Sequence, residues 1–345
     1  MICGLAADSW RDYRLIAASF GVDVTVLTDF SYDEIIQIIT PLEECGSGSF
    51  ASVYKGNWDA KEVAVKKYEA EHADLAETER QAYSDLGCYS NIVEPLGFCW
   101  STHFYIVMNY VPYTLQQVIE VSNFNWHETL HVLTQVAYAI RALGEEKYIF
   151  ADIKPDNLLI AKDFSVFLCD FGSAKKTGEY LPAANHSHAA AELFSSSTGN
   201  KVSNKVDIYS FGVILLQMVM DCSKAGTIDY STTALKKVKI IDKKLTGKKK
   251  RKEKNASNEE GKSYHIVITA ARQMREDKHV VNKKFIGCGC NDEDAWEVSD
   301  LAAACTSDKA ENRSAIDDVI RKMESRKMKE AVRKLKISVL DWIYC

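Results

Sequence analysis

Phe150-Ala151-Asp152-Ile153-Lys154-Pro155-Asp156-Asn157-Leu158-Leu159-Ile160, followed at a short distance by Cys169-Asp170-Phe171-Gly172, is the stretch that decides the reading of this chain. Asp152 supplies a carboxylate able to orient a hydroxyl group or take its proton. Lys154 supplies a cation able to neutralise charge that develops on a transferred phosphoryl group. Asn157 and Asp170 supply hard oxygen ligands suited to magnesium. Two short strands joined by a turn fit between Asn157 and Asp170 and would bring both ligands to one metal ion. A lone Asp-Phe-Gly is common by chance; the combination at this spacing is not.

Upstream, Gly46-Ser47-Gly48-Ser49-Phe50-Ala51-Ser52-Val53 reads as a turn between two hairpin strands. Its small residues leave backbone N–H groups free to approach phosphate oxygens. The loop joins strand to strand, whereas a dinucleotide-binding loop would open a helix. The next strand, Val63-Ala64-Val65-Lys66, ends on a lysine. That lysine needs a carboxylate to hold it. The helical stretch from Glu71 to Leu86 offers Glu79, with Glu77 as the competitor, although either step from Lys66 is short.

With these residues in order, the chain resembles the eukaryotic protein kinase family from about residue 41 to about 327. The resemblance implies an α+β, two-lobed fold with a small β-rich N-lobe and a larger helical C-lobe, binding ATP and Mg2+ between them. It implies catalytic roles for Asp152, Lys154, Lys66 and Glu79, and magnesium ligation by Asn157 and Asp170. Nucleotide would be held by Gly46, Ser47, Gly48, Ser49, Phe50 and Ala51, and by Lys66. Val53, Ala64 and Leu159 fall at positions that sandwich adenine, Met108 at the gatekeeper, and Asn109 to Val111 at the hinge. Lys154 after Asp152 looks like the Ser/Thr class. Gly-Ser-Gly-Ser-Phe at 46–50, Val53-Tyr54-Lys55-Gly56 and Leu96-Gly97-Phe98-Cys99 are similar to plant receptor-like kinases and their Pelle/IRAK relatives, in the tyrosine-kinase-like group. Ala190-Ala191-Glu192 looks like the family's Ala-Pro-Glu motif, with Arg313 as the expected partner of Glu192. Asp207 matches the residue that braces the catalytic loop.

Four positions depart from the family. Ala51 replaces a loop glycine, Phe150-Ala151 replaces the usual His-Arg, Asn185 stands where a Thr is usual, and Ala191 replaces a proline. Phe150 can fill the apolar stack that the His completes. Losing the Arg removes the group that normally meets an activation-loop phosphate, which predicts activity independent of phosphorylation there. A Ser/Thr protein kinase acting on protein hydroxyls is the expected function. The alternative is a nucleotide-binding scaffold with little or no transfer activity.

The rest of the chain sets bounds. Its 345 residues are 46% hydrophobic and 26% charged, an ordinary globular composition, and the net charge of -5 does not suggest a nucleic-acid partner. No apolar run is long enough to span a membrane, and Asp8, Arg11 and Asp12 interrupt any signal peptide. Ten scattered cysteines include a lone C-x-C, Cys288 and Cys290, read as free thiols. A cytoplasmic protein is expected, with the nucleus as the alternative. Residues 1–40 read as an N-terminal extension in which Val22 to Leu27 is a candidate strand and Tyr32 to Ile39 a short helix. The N-lobe is expected over 41–108 and the C-lobe over 112–327. The lysine-rich stretch at about 236–260 reads as a solvated insertion, with an acidic partner or a nuclear import factor as the second reading. Residues 328–345 form a basic amphipathic tail.

Overall fold

The computed structural model describes residues 27–39, 43–48, 50–87, 89–121, 124–181, 187–194, 203–225, 265–277 and 279–324. Val22 to Val26, Ser49, Asn185, the 236–260 insertion and the 328–345 tail lie outside them. Among the described residues no helix is long and apolar enough to cross a membrane.

The N-terminal part is one six-stranded sheet. Its strands are β1 (Thr28–Asp29), β2 (Glu43–Ser47), β3 (Ala51–Trp58), β4 (Lys61–Tyr68), β5 (Pro95–Trp100) and β6 (Phe104–Asn109), in the spatial order β1-β5-β6-β4-β3-β2. All pairings are antiparallel except β1 with β5. The β3–β4 hairpin turns on Asp59 and Ala60, both at positive φ (48° and 60°), the backbone that a two-residue turn between right-twisted strands demands. Val63 and Val65 alternate with Ala64 and Lys66, so one face of β4 meets one core and the other face meets the cleft.

The helix expected over Tyr32–Ile39 is α1 (Tyr32–Ile38). It begins on a capping box in which Ser31 and Glu34 each satisfy the other's backbone N–H. Residues 28–39 are built onto the sheet and are not a detached extension. Phe30, Ile35, Ile38 and Ile39 are buried against Val63, Val65, Cys99, Tyr105 and Val107, forming a second core on the sheet's outer face. Two glycines make room for this segment. A Cβ at Gly97 would collide with the Thr28 carbonyl oxygen, and one at Gly56 with that of Ile38.

On the other face of the sheet lies α2 (Ala73–Leu86), entered through a single 3-10 turn at Ala70–His72. Beyond β6 the chain becomes mainly helical. The short β7 (Tyr113–Thr114) leads into α3 (Leu115–Val121) and then α4 (Trp126–Glu145), which opens on a second capping box from Asn125 and Glu128. Next come β8 (Tyr148–Ile149), β9 (Leu158–Ile160), β10 (Val166–Leu168) and β11 (Lys175–Lys176). The helices α5 (Lys205–Val219), α6 (Ile266–Glu276), α7 (Asp292–Cys305) and α8 (Ile316–Met323) complete the lobe. From Val206 to Val219 every residue of α5 is buried, as expected of a helix apolar on all sides. The result is mixed α+β: a β-rich N-lobe and a helical C-lobe.

Candidate active site

The antiparallel pair β9–β10 places Asn157 just before one strand and Asp170 just after the other. A hydrogen bond from the Cys169 N–H to the Asn157 carbonyl (3.0 Å) ties the two ends. Asn157 is buried and its amide nitrogen is committed twice, to the Asp152 carbonyl (2.9 Å) and to Asp152 Oδ2 (3.0 Å). That orientation leaves Oδ1 as the end available to a cation. Lys154 Nζ donates to both Asp152 carboxylate oxygens, at 2.9 and 3.1 Å. The three polar side chains of the loop thus converge on one place.

Asp207, fully buried near the start of α5, braces this loop from beneath. Its Oδ2 accepts the Phe150 N–H (3.0 Å) and its Oδ1 accepts the Ala151 N–H (2.8 Å). Ala151 sits at φ 62°, a backbone an alanine adopts at a cost of about 1–2 kcal/mol, so the brace holds a strained turn in place. Asp170 is likewise left-handed, at φ 69°. Burial pushes the Asp207 carboxyl up to about 6, against the pull of its two backbone N–H bonds.

Lys66 joins the lobes. Its ammonium bonds Glu79 Oε2 and Asp170 Oδ1, both at 2.7 Å. Burial works against the charge on Lys66, yet Asp170 and Glu79 outweigh it and hold the ammonium well above its ordinary value. Burial also opposes ionisation of Asp170, but Lys66 wins and lowers its pKa, while the side chain stays 49% exposed to the cleft. Of the two candidate glutamates, Glu79 lies on the buried face of α2 with Ala76, Tyr83 and Leu86. Glu77 points outward and pairs with Arg80 (2.6 Å). Burial pushes Glu79 up, partly offset by Lys66. Its other oxygen accepts the Phe171 N–H (3.2 Å), so one carboxylate holds both the lysine and the segment after Asp170.

Two further features were not legible in the sequence. Tyr68, two residues past Lys66 on β4, donates its hydroxyl to Glu79 Oε2, and its ring lies 4.8 Å from the Lys66 ammonium. Tyr83 completes an aromatic column: its ring meets Phe171 at 4.9 Å, and Phe171 meets Phe150 edge-on at 5.2 Å. Phe150 therefore fills an apolar stack, as expected. The Tyr83 hydroxyl is buried with no hydrogen-bond partner among the described residues.

The residues expected to hold nucleotide lie on β2, β3, β4, β6 and β9 and the turns beside them. Gly46 pairs with Val53 and Ser47 with Ser52 across β2 and β3, and the Gly48 N–H donates to the Ala51 carbonyl (2.9 Å) to close the turn. Ala51 opens β3 paired with Tyr68 and needs no positive φ, so a methyl group is tolerated where a glycine was expected. Phe50 at the tip is 51% exposed and its ring meets His72 at 5.1 Å. Val53 faces Lys66 across β3–β4, and Ala64 faces Met108 across β4–β6. Asn109 closes β6, its amide bound to Glu94 Oε2 (2.5 Å), with Val111 just beyond; half-buried Leu159 lies on β9.

Away from the cleft, the expected Glu192–Arg313 pair is present and bidentate, at 2.6 and 3.0 Å, with the Arg313 side chain fully buried. A polar network unforeseen in the sequence anchors the segment before Glu192. Ser210 donates to the His188 carbonyl, the His188 ring meets Gln217, and the His265 ring meets the Ser187 carbonyl.

A β-rich lobe and a helical lobe with a lysine, two carboxylates and an Asp-Lys-Asn loop between them are the arrangement of a protein kinase domain. The family model described as "Protein kinase domain" matches residues 39–323, and the chain belongs to that family. It is 34% identical over 219 residues to the mitogen-activated protein kinase kinase kinase dlk-1 of Caenorhabditis elegans, covering 60% of this chain and 23% of that protein. It is 30% identical over 237 residues to the proline-rich receptor-like protein kinase PERK8 of Arabidopsis thaliana, covering 62% and 34%. Over 243 residues it is 29% identical to the G-type lectin S-receptor-like serine/threonine-protein kinase RLK1 of the same plant, covering 64% and 28%. The expected likeness to plant receptor-like kinases is thus found, and the chain spans roughly a quarter to a third of these relatives' length.

Proposed function

We propose that this chain is an active Ser/Thr protein kinase, moving the γ-phosphoryl group of ATP to serine or threonine hydroxyls of protein substrates. The observation that carries the reading is the position of Lys66. It is bonded at once to Glu79 from one lobe and Asp170 from the other, above the Asp152-Lys154-Asn157 cluster. Lys66 would meet nucleotide phosphates. Asp152 would orient the acceptor hydroxyl and take its proton. Lys154, already against Asp152, would offset charge on the group in flight. The exposed Asp170 carboxylate and the Asn157 amide oxygen fit a magnesium ion, both being hard oxygen donors. When bound, that ion would neutralise phosphate charge. Most of the rate enhancement would come from positioning and fixed charge. Cytoplasm is the proposed compartment, with the nucleus as the alternative.

The test is purified protein with labelled ATP, magnesium and a generic protein substrate, beside Asp170→Ala. Phosphoserine or phosphothreonine made only by the unaltered protein supports the reading. Nucleotide binding without transfer supports the scaffold alternative instead.

A further inference from the structure

Helix α2 is gripped at two places. Glu79 holds Lys66, and Asp85, six residues on, is held by a second group of side chains outside the nucleotide cleft. Lys176 Nζ donates to Asp85 Oδ2 (2.8 Å) and to the Glu146 carbonyl (3.1 Å), and the Tyr148 hydroxyl donates to the same Asp85 oxygen (2.9 Å). The Lys176 ammonium lies 3.8 Å from the centre of the Tyr148 ring, a cation–π contact in addition to the ion pair. Gln81 donates to the remaining Asp85 oxygen (3.0 Å).

The placement of these residues matters more than the bonds one by one. Lys176 is on β11, which follows the Asp170-Phe171-Gly172 turn. β11 pairs antiparallel with β8, Lys176 opposite Tyr148 and Lys175 opposite Ile149. β8 runs directly into Phe150, Ala151 and Asp152. Thr177 extends the pairing, its N–H (2.7 Å) and hydroxyl (2.9 Å) both donating to the Lys147 carbonyl. One lysine, one aspartate and one tyrosine therefore join the helix that carries Glu79, the approach to the catalytic loop, and the segment that leaves Asp170. At the residue before Asp152 the side chain is the methyl of Ala151, which cannot collect a phosphate. All three elements are tied without one.

We propose that Asp85, Tyr148 and Lys176 form a phosphate-free clasp that sets α2 so that Glu79 meets Lys66, making Asp85 and Lys176 positioning residues for nucleotide binding. This rests on the reading of the cleft as a kinase site. The ion pair is partly exposed (Lys176 side chain 40%, Asp85 25%), so its strength is moderate and salt-dependent. Tyr148, itself buried, restricts where the ammonium and carboxylate can sit.

The experiment compares the full chain with Asp85→Asn, Lys176→Met and Lys176→Arg, each before and after phosphatase treatment. It reads magnesium-ATP affinity by calorimetry, KM and kcat separately, and the melting temperature. Asp85→Asn and Lys176→Met are expected to weaken nucleotide binding and raise KM for ATP about three- to tenfold, with Lys176→Arg restoring most of it. Phosphatase is expected to change none of these values. Unchanged affinity in both disrupting variants overturns the clasp. So does a loss that tracks a collapsed melting transition and is not restored by arginine, or an affinity that phosphatase abolishes. Should the unaltered protein bind nucleotide and transfer nothing, the kinase reading fails, while the affinity comparison still decides the clasp.

Discussion

Tyr68 donates its hydroxyl hydrogen bond to Glu79, on the same carboxylate oxygen that receives the Lys66 ammonium. Burial and the nearby Glu79 carboxylate push the phenol far above its ordinary range, so it stays a donor through the working pH range. Tyr68→Phe should remove one of three grips on Glu79 and lower kcat/KM for ATP by about tenfold or more, the loss of one hydrogen bond to a charged acceptor. Glu79→Gln should cost far more, because it breaks a buried pair and leaves the Lys66 cation partly uncompensated. Steady-state kinetics on both variants decide this. A Tyr68→Phe enzyme with native kinetics would make the hydroxyl a bystander.

The acid limb of the activity profile is expected to belong to Asp207. Its folded value of about 6 lies above the ordinary 3.8. The folded state therefore binds the extra proton between about pH 4 and 6, and this group's contribution to stability falls as pH rises through that window. Activity should run the other way, because a protonated carboxyl accepts the Phe150 and Ala151 N–H groups less well. Transfer should decline below about pH 6, and Asp207→Asn should flatten that decline at a lower overall rate. An unchanged acid limb in Asp207→Asn would assign it elsewhere.

Removing the hydroxyls at Thr177, Tyr180 and Ser187 together should leave the rate within about fivefold of the parent, the loss expected from the Thr177 hydroxyl bond to Lys147. Ala151 offers an activation-segment phosphate no cation. A collapse of the rate in the triple alanine variant, measured on purified protein, contradicts this.

Tyr83→Phe should be neutral or stabilising, by up to about 1 kcal/mol, since it deletes a buried hydroxyl without a described partner and keeps the ring against Phe171. Thermal melting of the two proteins is the measurement. A marked drop in melting temperature would mean that the hydroxyl is satisfied.

The grouping of Asp152, Lys154, Asn157 and Asp170 was legible because these residues are close in sequence, and the β9–β10 turn converts that spacing directly into geometry. The choice of Glu79 over Glu77 could have been read from helical spacing alone: Ala76, Glu79, Tyr83 and Leu86 share one face, and Glu77 falls off it. Tyr68 carried no such signal, because an aromatic residue at the end of an apolar strand reads as core whichever way its hydroxyl points. Lys176 and Asp85 are 91 residues apart, and nothing local marks either as the other's partner. The short helix from Tyr32 was legible in the sequence, but only tertiary structure places it on the sheet.

That placement separates the boundary of the family from the boundary of the folding unit. The family match begins at residue 39, just after α1 ends. A chain begun there would lose Phe30, Ile35 and Ile38 and leave the outer faces of Val63, Val65, Tyr105 and Val107 open to water. Each lost side chain is worth about 1.5–3 kcal/mol of burial, so together they approach the whole stability of an ordinary domain. A truncation there is expected to aggregate with every candidate site residue intact, and light scattering beside the longer chain would register it. Homology would then have drawn its line through the hydrophobic seal on the N-lobe.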